Sequence, residues 1–141
     1  ATQPAVADVE DSDLFFQKAM ARKTQRRNYN REVSALLAKM ATEEKVGQMT
    51  QLEIGIITKG DGDNIQIDPE KLEKAVVKYG AGSILNVKDQ ALTVGKWHQI
   101  IGAIQTASQR TRLQIPVIYG IDSIHGATFI QGWTLFPKEI G

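Results

Sequence analysis

Apolar positions along this chain follow a helical rhythm broken by three short continuous runs. Val33, Leu36, Leu37 and Met40 fall at i, i+3, i+4 and i+7, one face of a helix. Thr42, with Glu43 and Glu44 behind it, predicts a fresh helix start, because a hydroxyl cap and early acids complement the free N–H groups there. The run from Gly47 to Ile54 reads as a first strand, and a polar Gly/Asp loop follows from Thr58 to Asn64. Asp68-Pro69-Glu70 predicts the next helix start, with Leu72, Ala75, Val76 and Tyr79 on its buried face and Gly80 as its stop. Gly82 to Val87 reads as a second strand. A helix from about Thr93 to Arg112 carries Trp97, Ile100, Ile101, Ile104 and Ala107 on one side, and Pro116 to Ile121 is the third strand. The first 30 residues mix acids at Asp8, Glu10, Asp11 and Asp13 with later bases, and read as an extended leader with at most a short helix.

Strand centres near 52, 85 and 118 are about 33 residues apart, each gap holding a helix, which is the rhythm of β/α units on a parallel sheet. A (β/α)8 barrel spends roughly 250 residues on eight such units. The expected fold class is therefore α/β, with residues 1–30 a leader and 31–141 about three β/α units, the N-terminal portion of a TIM-type barrel left incomplete in this chain. Three parallel strands have two unpaired edges and an open apolar face, so the remainder of a barrel, or self-association, is expected to cover them.

Composition narrows the partners. At 141 residues, 42% hydrophobic and 23% charged, the chain has the profile of a folded domain, and its 17 basic and 16 acidic residues nearly cancel. No nucleic acid is expected: the one basic cluster, Arg22 to Arg27, has no interleaved aromatic residues. No run approaches the roughly 18 apolar residues of a membrane span, and no insertion is expected. The absence of cysteine excludes disulfides and thiolate metal sites. The opening Ala1-Thr2-Gln3-Pro4 fits a mature secreted or periplasmic protein, or equally an excised piece.

Candidate chemistry centres on Asp122. In parallel α/β folds functional groups sit at the C-terminal ends of strands, where the strand fixes the base and the loop is free to vary. Asp122 stands there, after the third strand, either as a ligand group or as a turn cap. His125 reads as a hydrogen-bonded structural residue or a catalytic base, and no Ser or Cys forms a nucleophile motif with it. Trp133, outside any helical periodicity, is a sugar platform or a loop residue packed on its own fold. Asp61-Gly62-Asp63-Asn64 departs from a calcium loop, with Ile65 and Gln66 where a ligand and Gly are required, and reads as an ordinary turn. Gly80-Ala81-Gly82-Ser83 precedes a strand and so is no phosphate cradle. No metal or cofactor is expected.

Five ordered blocks carry a resemblance. They are Glu43-Glu44-Lys45-Val46-Gly47-Gln48-Met49; Gly80-Ala81-Gly82-Ser83-Ile84-Leu85; Arg112-Leu113 ahead of Ile115-Pro116-Val117-Ile118-Tyr119-Gly120-Ile121-Asp122; His125-Gly126; and Thr134-Leu135-Phe136-Pro137. Together they resemble the N-terminal part of glycoside hydrolase family 3, over most of the chain from about residue 33. The resemblance implies a barrel domain in an exo-acting, retaining glycosidase. An Asp nucleophile on a later strand forms a glycosyl-enzyme, and a Glu is the acid/base. It also implies that Asp122 accepts hydroxyl hydrogen bonds from the sugar in the −1 subsite; His125 and Trp133 are read as site support beside it. Asp122-Ser123-Ile124-His125-Gly126 is similar to the β-glucosidase and exo-β-glucanase branches, so the expected substrate is a β-glucoside or β-glucan oligosaccharide. Trp133 stands where Gly or Ala is usual, and Lys138 where His or Gln is common. Neither catalytic carboxylate has a counterpart here, so residues 1–141 alone are expected to be inactive. The alternative is a non-catalytic half-barrel that binds sugar or self-associates.

Overall fold

The computed structural model describes residues 7–88, 91–123 and 125–135, in two compact units, Ala1–Met40 and Ala41–Gly141. The described part of the first unit is dominated by one helix, α1 (Ala7–Lys39). It takes in all the described residues of the segment 1–30, expected to be an extended leader with at most a short helix. The reason lies in the residues: no Gly or Pro lies between Pro4 and Gly47, acids come first and bases later, which suits the helix dipole, and Gln25 Nε2 reaches Tyr29 Oη one turn on at 2.9 Å. Val33 and Leu37, on the apolar face read from the sequence, are exposed.

The second unit holds α2 (Thr42–Met49), β1 (Gln51–Glu53), β2 (Thr58–Lys59), β3 (Gln66–Ile67), α3 (Pro69–Leu72, continuing to Lys78), β4 (Ser83–Leu85), α4 (Val94–Ser108) and β5 (Ile118–Gly120). The β1, β4 and β5 strands form a parallel sheet in that order, with Leu52, Ile84 and Tyr119 in register across it. All three expected strands are present. The order never reverses, so right-handed crossovers carry α3 and α4 to the same face, where they pack on each other. The core between that face and the helices is built on Ile54, Ile57, Val76, Ile84, Ile100 and Ile104, each no more than 1% exposed. On the opposite face Ile118 is 72% exposed.

Local chemistry explains the boundaries. Asp68 Oδ1 accepts from the N–H groups of Glu70 and Lys71 at 3.2 Å each, so α3 starts where the sequence predicts. From Glu73 to Lys78 the helix widens to a π turn, with Tyr79 N–H donating to Lys74 O at 3.1 Å. The wider turn carries Tyr79 off the apolar face, and it is exposed instead of buried. Gly80, at φ 64°, then closes the helix as Ala81 N–H reaches back to Ala75 O at 3.1 Å. The first strand begins later than expected, since Gly47 to Met49 belong to α2. That helix end lies so close to the following chain that Gly82 N–H donates to Gly47 O at 2.9 Å. The loop expected over 58–64 begins a short hairpin, with Thr58 paired to Ile67; its buried Thr58 donates Oγ1–H to Ile54 O at 3.1 Å.

A bidentate ion pair ties the start of α2 to the chain after α4. Arg112 donates to both Glu44 oxygens, at 3.0 and 2.6 Å, and Ala41 N–H adds a third bond at 2.8 Å. The Arg112 guanidinium, aided by the Ala41 N–H, holds the Glu44 carboxyl below its ordinary value of 4.5. The folded state therefore favours the ionised form. The stabilisation is complete above that value and is lost as pH falls through the lowered one. Glu44→Gln should reduce thermal stability slightly at neutral pH, as for a surface pair, and the gap from wild type should close in acid. A gap that widens on acidification would contradict this.

Candidate functional site

The carboxyl ends of the three parallel strands gather polar side chains: Glu53 ends β1, Asn86 and Lys88 follow β4, and Asp122 follows β5. Glu53 accepts from Gly55 N–H at 2.7 Å, which turns the chain away from the strand into a short 3-10 turn. Lys88 Nζ pairs with Asp61 Oδ1 at 3.1 Å, so the acid singled out in the Asp61–Asn64 turn is engaged by a cation from the next strand end. Among the described residues no three His, Asp or Glu side chains converge as a metal site.

Asp122 is exposed and held from one side. Its backbone N–H donates to Asn86 Oδ1 at 3.0 Å, and Asn86 Nδ2 donates to its Oδ2 at 3.1 Å. Asn86 in turn donates its backbone N–H to Gly120 O at 2.9 Å and accepts at its carbonyl from Tyr119 Oη at 2.5 Å. Burial, with the Glu53 charge as a lesser contribution, pushes the Tyr119 hydroxyl well above its ordinary value of 10.0, so it stays a proton donor. The Tyr119 ring meets Trp97 edge to face, centroids 5.5 Å apart.

His125 and Trp133 lie on the loop after Asp122, and both are exposed, Trp133 at 59%. The loop is anchored between them. Trp97 Nε1 donates to Phe129 O at 3.0 Å, Leu92 N–H to the same oxygen at 2.9 Å, and Gln131 N–H to Leu92 O at 3.0 Å. Trp97 is thus the core residue its helical periodicity implies, 5% exposed, and it also fixes this loop. Ile124, Phe136, Pro137 and Lys138, which figure in the sequence blocks, lie outside the described residues.

Asn86, Glu53 and Lys88 were not singled out from the sequence. The signal was there, because Asn86 follows Leu85 at the end of one strand as Asp122 follows Ile121 at the end of another. At the opposite end of the sheet, a cleft of about 770 Å³ is lined by Thr50, Leu52, Ala75, Tyr79, Ala81 and Arg112. It is largely apolar and does not include Asp122, so the polar strand ends are the better candidate for chemistry.

One carboxylate backed by an amide, open to solvent and flanked by an aromatic loop, is suited to accepting hydrogen bonds from a polyhydroxylated ligand. Residues 41–141 match the family described as Glycosyl hydrolase family 3 N terminal domain. The chain is 37% identical over 118 residues to the lysosomal beta glucosidase of Dictyostelium discoideum, covering 77% of this chain and 14% of that protein. The chain thus spans about one seventh of the length of that relative.

Proposed function

The chain belongs to glycosyl hydrolase family 3, and from that premise we propose that it forms the first part of a retaining, exo-acting β-glucosidase, with Asp122 accepting sugar hydroxyls in the −1 subsite. The observation that carries this reading is the placement of Asp122: exposed, at the carboxyl end of a parallel strand, its Oδ2 held by Asn86. An ionised carboxylate there accepts two hydroxyl hydrogen bonds at once, which suits one edge of a glucose ring. His125 and Trp133 stand on the anchored loop that follows, where they can line the same subsite. The substrate is a β-glucoside or β-glucan oligosaccharide, cleaved by double displacement through a glycosyl-enzyme.

The monotonic strand order, with both helices on one face, supports the barrel reading, and the exposed Ile118 on the other face supports further β/α units covering it. On this reading the domain is the barrel start, preceded by a leader. The name of the Dictyostelium relative supports a lumenal or secreted setting, and no described helix is long and apolar enough to cross a membrane.

Proton NMR of an aryl β-D-glucoside reacting with the full-length enzyme should show the β anomer of glucose first, before mutarotation. Initial release of the α anomer would refute the retaining mechanism. Purified residues 1–141 should show no turnover and should associate through their open sheet; an active compact monomer would sink the reading of this segment as one part of a larger site.

A further inference from the structure

We infer that Asn86 is a positioning residue that sets the orientation of the Asp122 carboxylate, an inference resting on the reading of Asp122 as a sugar-hydroxyl acceptor. Four polar groups of Asn86 are used, and all four engage the segment 119–122: N–H to Gly120 O, C=O from Tyr119 Oη, Oδ1 from Asp122 N–H, and Nδ2 to Asp122 Oδ2. The amide orientation is dictated by its partners, since the flipped form would set N–H against N–H and oxygen against carboxylate.

The backbone makes the side chain's purpose visible. Asn86 has φ 62°, in the left-handed region where glycine is at ease and most residues are strained. If this position needed only the turn, glycine would serve at lower cost. Asn tolerates the conformation and adds a donor and an acceptor on one planar group. That pair is what an Asp needs to have both its own N–H and one carboxylate oxygen fixed together. Aspartate at 86 would supply the acceptor but set a second charge against Asp122, and leucine would supply neither bond.

The consequence is a division of labour within one carboxylate. Oδ2 is held by the amide, while Oδ1, on the same exposed side chain, has no protein hydrogen bond among the described residues. The ring and hydroxyl of Tyr119, packed on Trp97, lock Asn86 from behind. The acceptor therefore meets its ligand already oriented, and little rotamer freedom is lost when the sugar arrives.

A double-mutant cycle in the full-length enzyme tests this on an aryl β-D-glucoside. Asn86→Gly keeps the backbone and removes the clamp, and should lower kcat/KM by roughly 10- to 100-fold. Added to Asp122→Ala, the same change should cause no further loss, because Asn86 acts only through Asp122. Equal losses in both backgrounds would mark a merely structural role and overturn the inference, as would full activity of Asn86→Gly. If Asp122→Ala itself leaves activity intact, the sugar-acceptor reading fails and the inference with it. If Asn86→Gly melts early, Asn86→Asp decides: it should lose at least as much activity with the same non-additivity, and full activity would again overturn the inference.

Discussion

Replacing Asp122 with Ala in the full-length protein should lower kcat/KM on an aryl β-D-glucoside by roughly 30- to 1000-fold, the equivalent of about 2–4 kcal/mol of transition-state binding, if the proposed subsite role holds. The figure follows from what is lost. A charged acceptor at a strand end makes charge-assisted hydrogen bonds to hydroxyls, each stronger than a neutral one. Its removal also strands the Asn86 amide, which now donates Nδ2–H to Asp122 Oδ2 at 3.1 Å. The fold itself should be little affected, since the side chain is exposed. Melting should therefore be close to wild type while turnover collapses. Asp122→Asn keeps the size and one acceptor but drops the charge, and should fall between Ala and wild type. An Asp122→Ala enzyme with unchanged kcat/KM would remove Asp122 from the subsite.

Gly82→Ala carries the largest expected stability effect. A Cβ there would lie 2.2 Å from Gln48 O and 2.7 Å from both the Gln48 carbonyl carbon and Cα. These are backbone atoms, so no side chain can rotate away, and relief requires moving α2 from β4. Moving it would also break the bonds from Gly82 N–H to Gly47 O and Thr50 O, at 2.9 and 3.2 Å. Overpacking ordinarily costs about 1–3 kcal/mol, and a clash with backbone belongs at the upper end or beyond. Thermal denaturation of the full-length protein should show a clear loss for Gly82→Ala. Gly102→Ala, in α4 with nothing within 4 Å of the added carbon, should be neutral or stabilising by about 0.5–1 kcal/mol. Equal behaviour of the two variants would contradict the packing argument.

Gly82 also shows why the Gly80-Ala81-Gly82-Ser83 stretch is built as it is. From sequence its position ahead of a strand separates it from a phosphate cradle and Gly80 reads as a helix stop, but the purpose of Gly82 could not be read. Gly80 supplies the left-handed helix end and Gly82 the close approach to α2. The second depends on where residue 48 comes to rest, some 30 positions away. Tyr79 failed as a core prediction for a related reason: one π turn is enough to rotate a residue off a face, and nothing in the local periodicity announces it. The leader failed differently. Its helix was legible in the unbroken Gly- and Pro-free run and the acid-to-base order, which outweigh the lack of an apolar stripe in an exposed helix.

The sequence by itself determined the three strands, the two helices between them, the capping Asp68, the core face of α4 and the position of Asp122 at a strand end. These rest on hydrophobic period, turn chemistry and spacing, which are properties of neighbours along the chain. Only the tertiary structure decided that Asn86 meets Asp122 across 36 positions, that Tyr119 and Trp97 back them, and that Phe129 ties down the following loop. The physical reason is register: pairing Leu85 with Gly120 sets the ends of β4 and β5 side by side, and the residues just beyond them become partners that no local pattern encodes.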